Sequence, residues 1–197
     1  LPDPDLRQNR GLLWLIALGT VPVGIAGLFL EHLVETTLRN PLVIGTMLVA
    51  VGVLMWYGDR ASRRTRNINA VTLADAMVIG LAQALAVVPG TSRSGITITA
   101  GLFRDLDRHS AARFSFLLST PAIGAASLKA FYDLYKQGGI APEMQMQFAA
   151  GMLTSAVCGC LVIAAFLRFL RSNTLAIFIY YRIAFGIIVL ALALFLR

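Results

Sequence analysis

The heptapeptide PGTSRSG, residues 89–95, concentrates chemistry that the surrounding apolar sequence lacks. Gly90 and Gly95 permit close backbone approach and dihedral angles that other residues avoid. Ser92 or Ser94 can cap a helix that starts here. The free N–H groups and positive dipole end of such a helix make an anion site. Arg93 adds a planar fork of donors suited to phosphate oxygens. The hydroxyls of Thr91, Ser92 and Ser94 add further donors. The pattern points to a phosphate or carboxylate pocket. A plainer reading uses the same residues: Arg93 pairs with a buried carboxylate and holds the loop shut, and the serines are only caps.

The elements that must position this loop belong to a membrane. LAQALAVV precedes it and ITITAGLF follows. The chain is 57% hydrophobic and 14% charged, where soluble domains carry about 25% charged residues. Five apolar segments, 11–30, 42–57, 114–131, 147–167 and 175–196, are candidates to cross the hydrocarbon core. Helices satisfy their own backbone hydrogen bonds in lipid, and no alternating strand pattern is present. The fold class is therefore an all-α integral membrane bundle, with residues 1–197 as a single membrane domain. Residues 73–103 form a different unit, broken at Pro89 and Gly90. Its second arm, 94–103, covers only about 15 Å, half of the core. The unit is expected to be a re-entrant helix–loop–helix hairpin.

Charge sets the expected orientation. The net charge is +7, with 15 arginines and 2 lysines. The arginines cluster between spans, which is the positive-inside pattern rather than a nucleic-acid surface. Residues 58–67 carry four arginines and one acid, and 104–113 carry three arginines. Both loops read as cytoplasmic, so the hairpin goes in and comes back with its tip toward the outer face. His32 and His109 read as interfacial residues. Cys158 and Cys160 point to nearly opposite helix faces and are expected to be small core residues. Gly151, Ser155 and Gly159 form a small-residue row expected to pack closely, Gly45 and Gly52 thin another face, and Pro22 and Pro121 are expected to kink their spans. Gln83 either lines the loop or bonds a neighbouring helix. Arg182 is expected to snorkel to the interface beside Tyr180 and Tyr181.

The stretch AQALAVVPGTSRSGITITAGL, followed by RHSAARFSFLLSTPAI, closely resembles the undecaprenyl-pyrophosphate phosphatase family of bacteria, the bacitracin-resistance type. PGTSRSG resembles that family's second signature, and the resemblance runs on to the C-terminus. It implies a membrane enzyme that hydrolyses polyprenyl pyrophosphate to the monophosphate carrier lipid of peptidoglycan synthesis. It also implies bacitracin resistance, a divalent cation (Mg²⁺ or Ca²⁺), and a bacterial inner-membrane location with the site opening to the periplasmic face. By position, Ser92 and Arg93 match the family's functional pair and are the expected catalytic residues. Gly90, Thr91, Ser94, Gly95 and Gln83 are the expected substrate-binding residues, and no metal ligand is assigned. The expected partners are the pyrophosphate lipid and membrane lipids, with a homodimer as a candidate assembly and no nucleic acid.

The family's earlier acidic signature has two glutamates, a Ser-Ser-Thr-Gly run and a histidine, and these 197 residues do not contain it. The expectation is a chain holding roughly two-thirds of the family's usual length. Such a chain would carry the phosphate-binding half of the site, fold poorly when made alone and hydrolyse little. Two other readings stand beside the phosphatase. One is a lipid or anion transporter or flippase, since broken helices facing an anion occur there too. The other is a non-catalytic fragment or scaffold.

Overall fold

Apolar runs this long can close their backbone hydrogen bonds only within themselves, and the chain does so. The computed structural model describes residues 4–195, with side chains for all of these except 4–10, 31–33, 35 and 37. In chain order the helices are α1 (Pro4–Leu33), α2 (Pro41–Ala61), α3 (Leu73–Leu85), α4 (Arg93–Phe103), α5 (Arg108–Lys136), α6 (Gln145–Phe169) and α7 (Ala176–Phe195). A π-helical turn follows α1 at Val34–Leu38. Five of the helices, α1, α2, α5, α6 and α7, are long and apolar enough to cross a membrane. This is a multi-pass helical membrane protein. Pro22 and Pro121 lie inside α1 and α5.

The interior is built by small residues. A Cβ on Gly52 would lie 2.6 Å from Ile183 Cγ1, and one on Gly45 would lie 2.7 Å from Leu190 Cγ. Gly186 answers from α7, 2.8 Å from Val49 Cγ2 by the same construction. These glycines let α2 and α7 pack backbone to backbone, as membrane helices do where no hydrophobic driving force separates protein from lipid. α1 crosses α3 in the same manner at Gly19 and Gly80. α4 is held among α2, α3 and α5, and eight of its eleven residues are buried.

α6 departs from expectation. None of its residues is buried. A Cβ added at Gly151 or Gly159 would meet nothing within 4 Å, and Ser155 is exposed. The small-residue row is therefore not a seam within the described residues. Cys158 and Cys160 are exposed rather than core residues. The physical reason is that α6 meets the bundle mainly near its C-terminal end. There the Phe166 ring stands 5.8 Å from Phe116 and 5.0 Å from Phe178, centroid to centroid.

α3 and α4 have 13 and 11 residues, about 20 and 16 Å at the helical rise. Neither is long enough to span. The two ends of this unit are tied together. Arg66 N–H donates to the Asp105 carbonyl at 3.0 Å, and Asp107 N–H donates to the Arg66 carbonyl at 2.8 Å. The chain thus enters and leaves the α3–α4 unit at the same end of the bundle, called the base below.

Candidate active site

The tip of the hairpin is made by two residues in unusual backbone conformations. Gly90 has φ +89° and Ser92 has φ +57°. At Gly90 the need for glycine is double: a Cβ would also lie 2.5 Å from the Ile44 carbonyl oxygen. Ser92 is the N-cap of α4, and its Oγ accepts from Gly95 N–H at 3.2 Å. The strained φ of Ser92 turns the chain so that α4 starts at Arg93. The N–H groups of Arg93 and Ser94 find no acceptor among the described residues, as the first turn of a helix requires. Met55 Sδ is 3.1 Å from a Cβ built on Gly95. The α4 N-terminus is therefore level with the middle of α2, not with its ends.

Arg182 of α7 completes this end. It is only 8% exposed. Its Nη2 donates to the carbonyl oxygen of Gly90, and its Nε donates to the Leu48 carbonyl at 3.1 Å. Nη1 stands against the first turn of α4, 3.4 Å from a Cβ built on Gly95. The expectation that Arg182 snorkels to an interface is thus overturned. The guanidinium is held inward because the Gly90 carbonyl at the hairpin tip and the Leu48 carbonyl on α2 both accept from it there. An arginine six residues into an apolar helix was the available signal, since intramembrane charges are functional by default. The backbone partners themselves have no sequence signature.

Ser92, Ser94, Gly95 and Arg182 form the polar end of a cavity of about 410 Å³. Its walls are apolar and largely aromatic, with Phe116, Phe166, Phe178 and Phe185 among them. Behind the cavity a buried polar thread fixes α4 to α5. Ser115 Oγ and Thr97 Oγ1 are 2.6 Å apart, and Thr97 Oγ1 donates to the Arg93 carbonyl at 2.8 Å. Ser119 Oγ donates to the Ser115 carbonyl at 2.9 Å and approaches Gln83 Oε1 at 3.4 Å. The thread ties α3, α4 and α5 together, although the buried Gln83 Nε2 has no partner among the described residues.

Carboxylates hold the base. Asp75 is fully buried. It accepts from Arg66 Nη2 at 2.5 Å, Arg104 Nε at 2.6 Å and Thr72 N–H at 2.8 Å. Burial alone would raise the Asp75 carboxyl, but the bonds from Arg66, the Thr72 backbone and Arg104 outweigh it and hold the group well below the usual carboxylate range. Asp59 at the end of α2 takes Arg108 at the start of α5, at 2.6 and 3.0 Å. Thr72-x-x-Asp75 is a capping-box pattern and forms that box at the start of α3, but no sequence motif marks Asp59 or the arginines that clamp the two carboxylates.

The family described as bacitracin resistance protein BacA matches residues 3–188. The undecaprenyl-diphosphatase of Thermodesulfovibrio yellowstonii is 45% identical over 188 residues, covering 95% of this chain and 72% of that protein. That of Trichlorobacter lovleyi is 45% identical, covering 96% of this chain and 70% of that protein. Undecaprenyl-diphosphatase 2 of Stutzerimonas stutzeri is 43% identical, covering 92% and 67%. The chain belongs to the BacA family. The sequence resemblance and the all-helical membrane fold thus stand.

In this BacA chain the residues named from sequence fall into two sets. Ser92, Ser94 and Gly95 line the cavity with Arg182. Gly90 touches Arg182 from behind through its carbonyl. Thr91 is buried, with no partner for its hydroxyl among the described residues. Gln83 is buried in α3, meets Ser119 on α5, and does not line the cavity. Arg93 is exposed at the tip and outside the cavity lining. It makes no ion pair among the described residues, so the alternative in which a described carboxylate ties it down has no support. His109 lies at the base, at the far end of α4 from Ser92. The side chain of His32 lies outside the described residues.

The polar end of the cavity offers hydroxyls, N–H groups and a guanidinium, all suited to an anion. It offers no carboxylate, imidazole or thiolate, and the described residues contain no cluster of three such groups. The described residues do not fit a divalent cation, and no step is derived through one.

Proposed function

We propose that this chain acts in the hydrolysis of undecaprenyl pyrophosphate to the monophosphate carrier lipid, the activity in its relatives' names. One observation carries the proposal. Anion donors from two distant parts of the chain, the first turn of α4 and Arg182, converge at one end of an aromatic-walled cavity. A polyprenyl pyrophosphate has this same division, a multiply charged head on an apolar tail.

The phosphoryl oxygens sit against the α4 N–H groups of Arg93 and Ser94, with the Arg182 Nη1 on their other side. The prenyl chain runs along the phenylalanine wall. Arg93, free at the tip, swings its fork onto the terminal phosphate. Attack at the terminal phosphorus by water, or by an enzyme nucleophile that water later displaces, breaks the bridging P–O bond. The products are inorganic phosphate and the lipid monophosphate. These donors act by stabilising charge on the phosphoryl oxygens as it is redistributed. Ser92 is the hydroxyl nearest the reaction, and its cap bond to Gly95 orients it.

The wider setting follows the same reading. The protein lies in the bacterial inner membrane, the α3–α4 hairpin is re-entrant, the base faces the cytoplasm, and the tip is reached from the periplasmic side. The product feeds peptidoglycan synthesis, and overproduction confers bacitracin resistance. A divalent cation, if used, is held by groups beyond those described. The transporter alternative gains nothing from the relatives' names. The test is phosphate release from undecaprenyl pyrophosphate by purified protein in detergent. Stoichiometric phosphate and monophosphate lipid support the proposal. Translocation of intact lipid across vesicles without phosphate release would replace it with a flippase.

A further inference from the structure

Three arginines at the base have no task in this chemistry. Arg113, Arg168 and Arg171 have no ion-pair partner among the described residues. With His109 they surround a hollow of about 610 Å³ between the start of α5 and the end of α6. A second hollow of about 320 Å³ adjoins it, sharing His109 and Arg171, and Arg64 borders it. Arg64 pairs with Asp59 through its Nη2, at 3.7 Å from Oδ1, while its Nε is buried without an acceptor among the described residues. The larger hollow has no acid in its lining; the smaller has Asp107, which caps α5 by accepting from Ser110 N–H at 2.8 Å and the Ser110 hydroxyl at 2.7 Å and makes no ion pair with these arginines. Arg108 is likewise spent on Asp59.

Guanidinium groups gathered around one concavity, with no described carboxylate paired to Arg113, Arg168 or Arg171, repel one another unless an anion sits between them. The concavity also has an apolar side. Ala164 and Leu167 line it, and further along α6 Leu161 and Val157 are 65% and 51% exposed. A charged head in the hollow would continue into apolar chains lying on the uncovered face of α6. This end of α5 is opposite the hairpin tip, so the hollow is separate from the cavity at Arg182. We infer that it holds the phosphate of an anionic glycerophospholipid, bound at the interface as basic pockets between membrane helices bind such headgroups.

The test counts lipids retained by the intact protein in native mass spectrometry after exposure to equal amounts of phosphatidylglycerol and phosphatidylcholine. The protein is expected to retain phosphatidylglycerol selectively. The triple variant R113Q/R168Q/R171Q is expected to lose that preference, by roughly tenfold or more given several-fold per basic residue near a charged surface. The triple lysine variant, which keeps the charge, guards against misfolding and is expected to retain part of it. Displacement of phosphatidylglycerol by added inorganic phosphate would keep the site for a phosphate group but assign it to the free ion. Equal retention of the two lipids, or a preference that survives in the folded glutamine variant, overturns the inference.

Discussion

Arg182 and Gly90 are 92 residues apart in the chain and joined by one hydrogen bond, from the guanidinium Nη2 to the carbonyl oxygen. The bond does two things. It pins the hairpin tip to the last helix, and it fixes the plane of the guanidinium so that Nη1 faces the first turn of α4. On the proposed reading, positioning and anion binding are two uses of one side chain.

Arg182→Lys separates them. Lysine keeps the charge but cannot bond the Gly90 and Leu48 carbonyls while also presenting a donor to the cavity. Turnover is expected to fall about 10²-fold, the usual effect of losing one oriented donor to a phosphoryl or acyl oxygen. Melting temperature in detergent should drop only modestly. A variant with wild-type kcat/KM would remove Arg182 from the site.

Gly90→Ala should be far more harmful than Gly124→Ala. Gly90 has a positive φ and stands against the Ile44 carbonyl, whereas a Cβ on Gly124 meets nothing within 4 Å. The first change is expected to cost on the order of 1–3 kcal/mol in backbone strain and to abolish activity. The second is expected to be neutral or to stabilise α5 by up to about 1 kcal/mol. Thermal unfolding and phosphate release on the two variants check the contrast.

Asp75→Asn should loosen the base while leaving the cavity chemistry intact. Removing one charge from a buried cluster costs about 3–5 kcal/mol, and less here because Arg66 and Arg104 are partly solvated. The same carboxyl sets a pH dependence. Its pKa is depressed in the folded protein, so its stabilisation is complete above the ordinary aspartate value of about 4 and is lost as pH falls through the folded value. The melting temperature of wild type should therefore decline on acidification in that range. The Asp75→Asn variant should decline less.

The topology of the hairpin is checked by single cysteines introduced after Cys158 and Cys160 are replaced by alanine. Probes at Ala70 and His109 should label from one side of the membrane and a probe at Ser92 from the other. Labelling of Ala70 and His109 from opposite sides would mean that α3 and α4 together cross the bilayer.

What could be read before the structure was whatever local pattern determines. Hydropathy marked the five long helices, and Pro89 and Gly90 marked the break between two short ones. The composition of 89–95 marked the cap of α4. The second arm starts at Arg93, one residue before the expected Ser94, and of the two serines offered as its cap Ser92 is the one used. Arg182 was misread for a physical reason: its partners are main-chain carbonyls, which every residue has, and no pattern at 182 tells which of them a fold leaves free. The row Gly151–Ser155–Gly159 misled in the opposite way. Small residues permit close packing, but only tertiary placement decides whether a neighbour arrives. The Asp75 and Asp59 clamps join residues from separate loops and helices, which a count of loop charges cannot separate from a plain positive-inside bias.

The central claim, that the α4 N-terminus and Arg182 together hold a pyrophosphate head whose tail lies on the aromatic wall, is tested most directly by competition binding in nanodiscs. The competing ligands are undecaprenyl pyrophosphate and undecaprenol, which share a tail and differ only in the head. The wild-type protein should prefer the pyrophosphate by about 10²-fold or more, as charge-assisted bonds from several donors imply, and Arg182→Lys should lose most of that preference while binding undecaprenol unchanged. Equal binding of the two lipids, or a preference untouched by the substitution in a folded protein, would contradict the account.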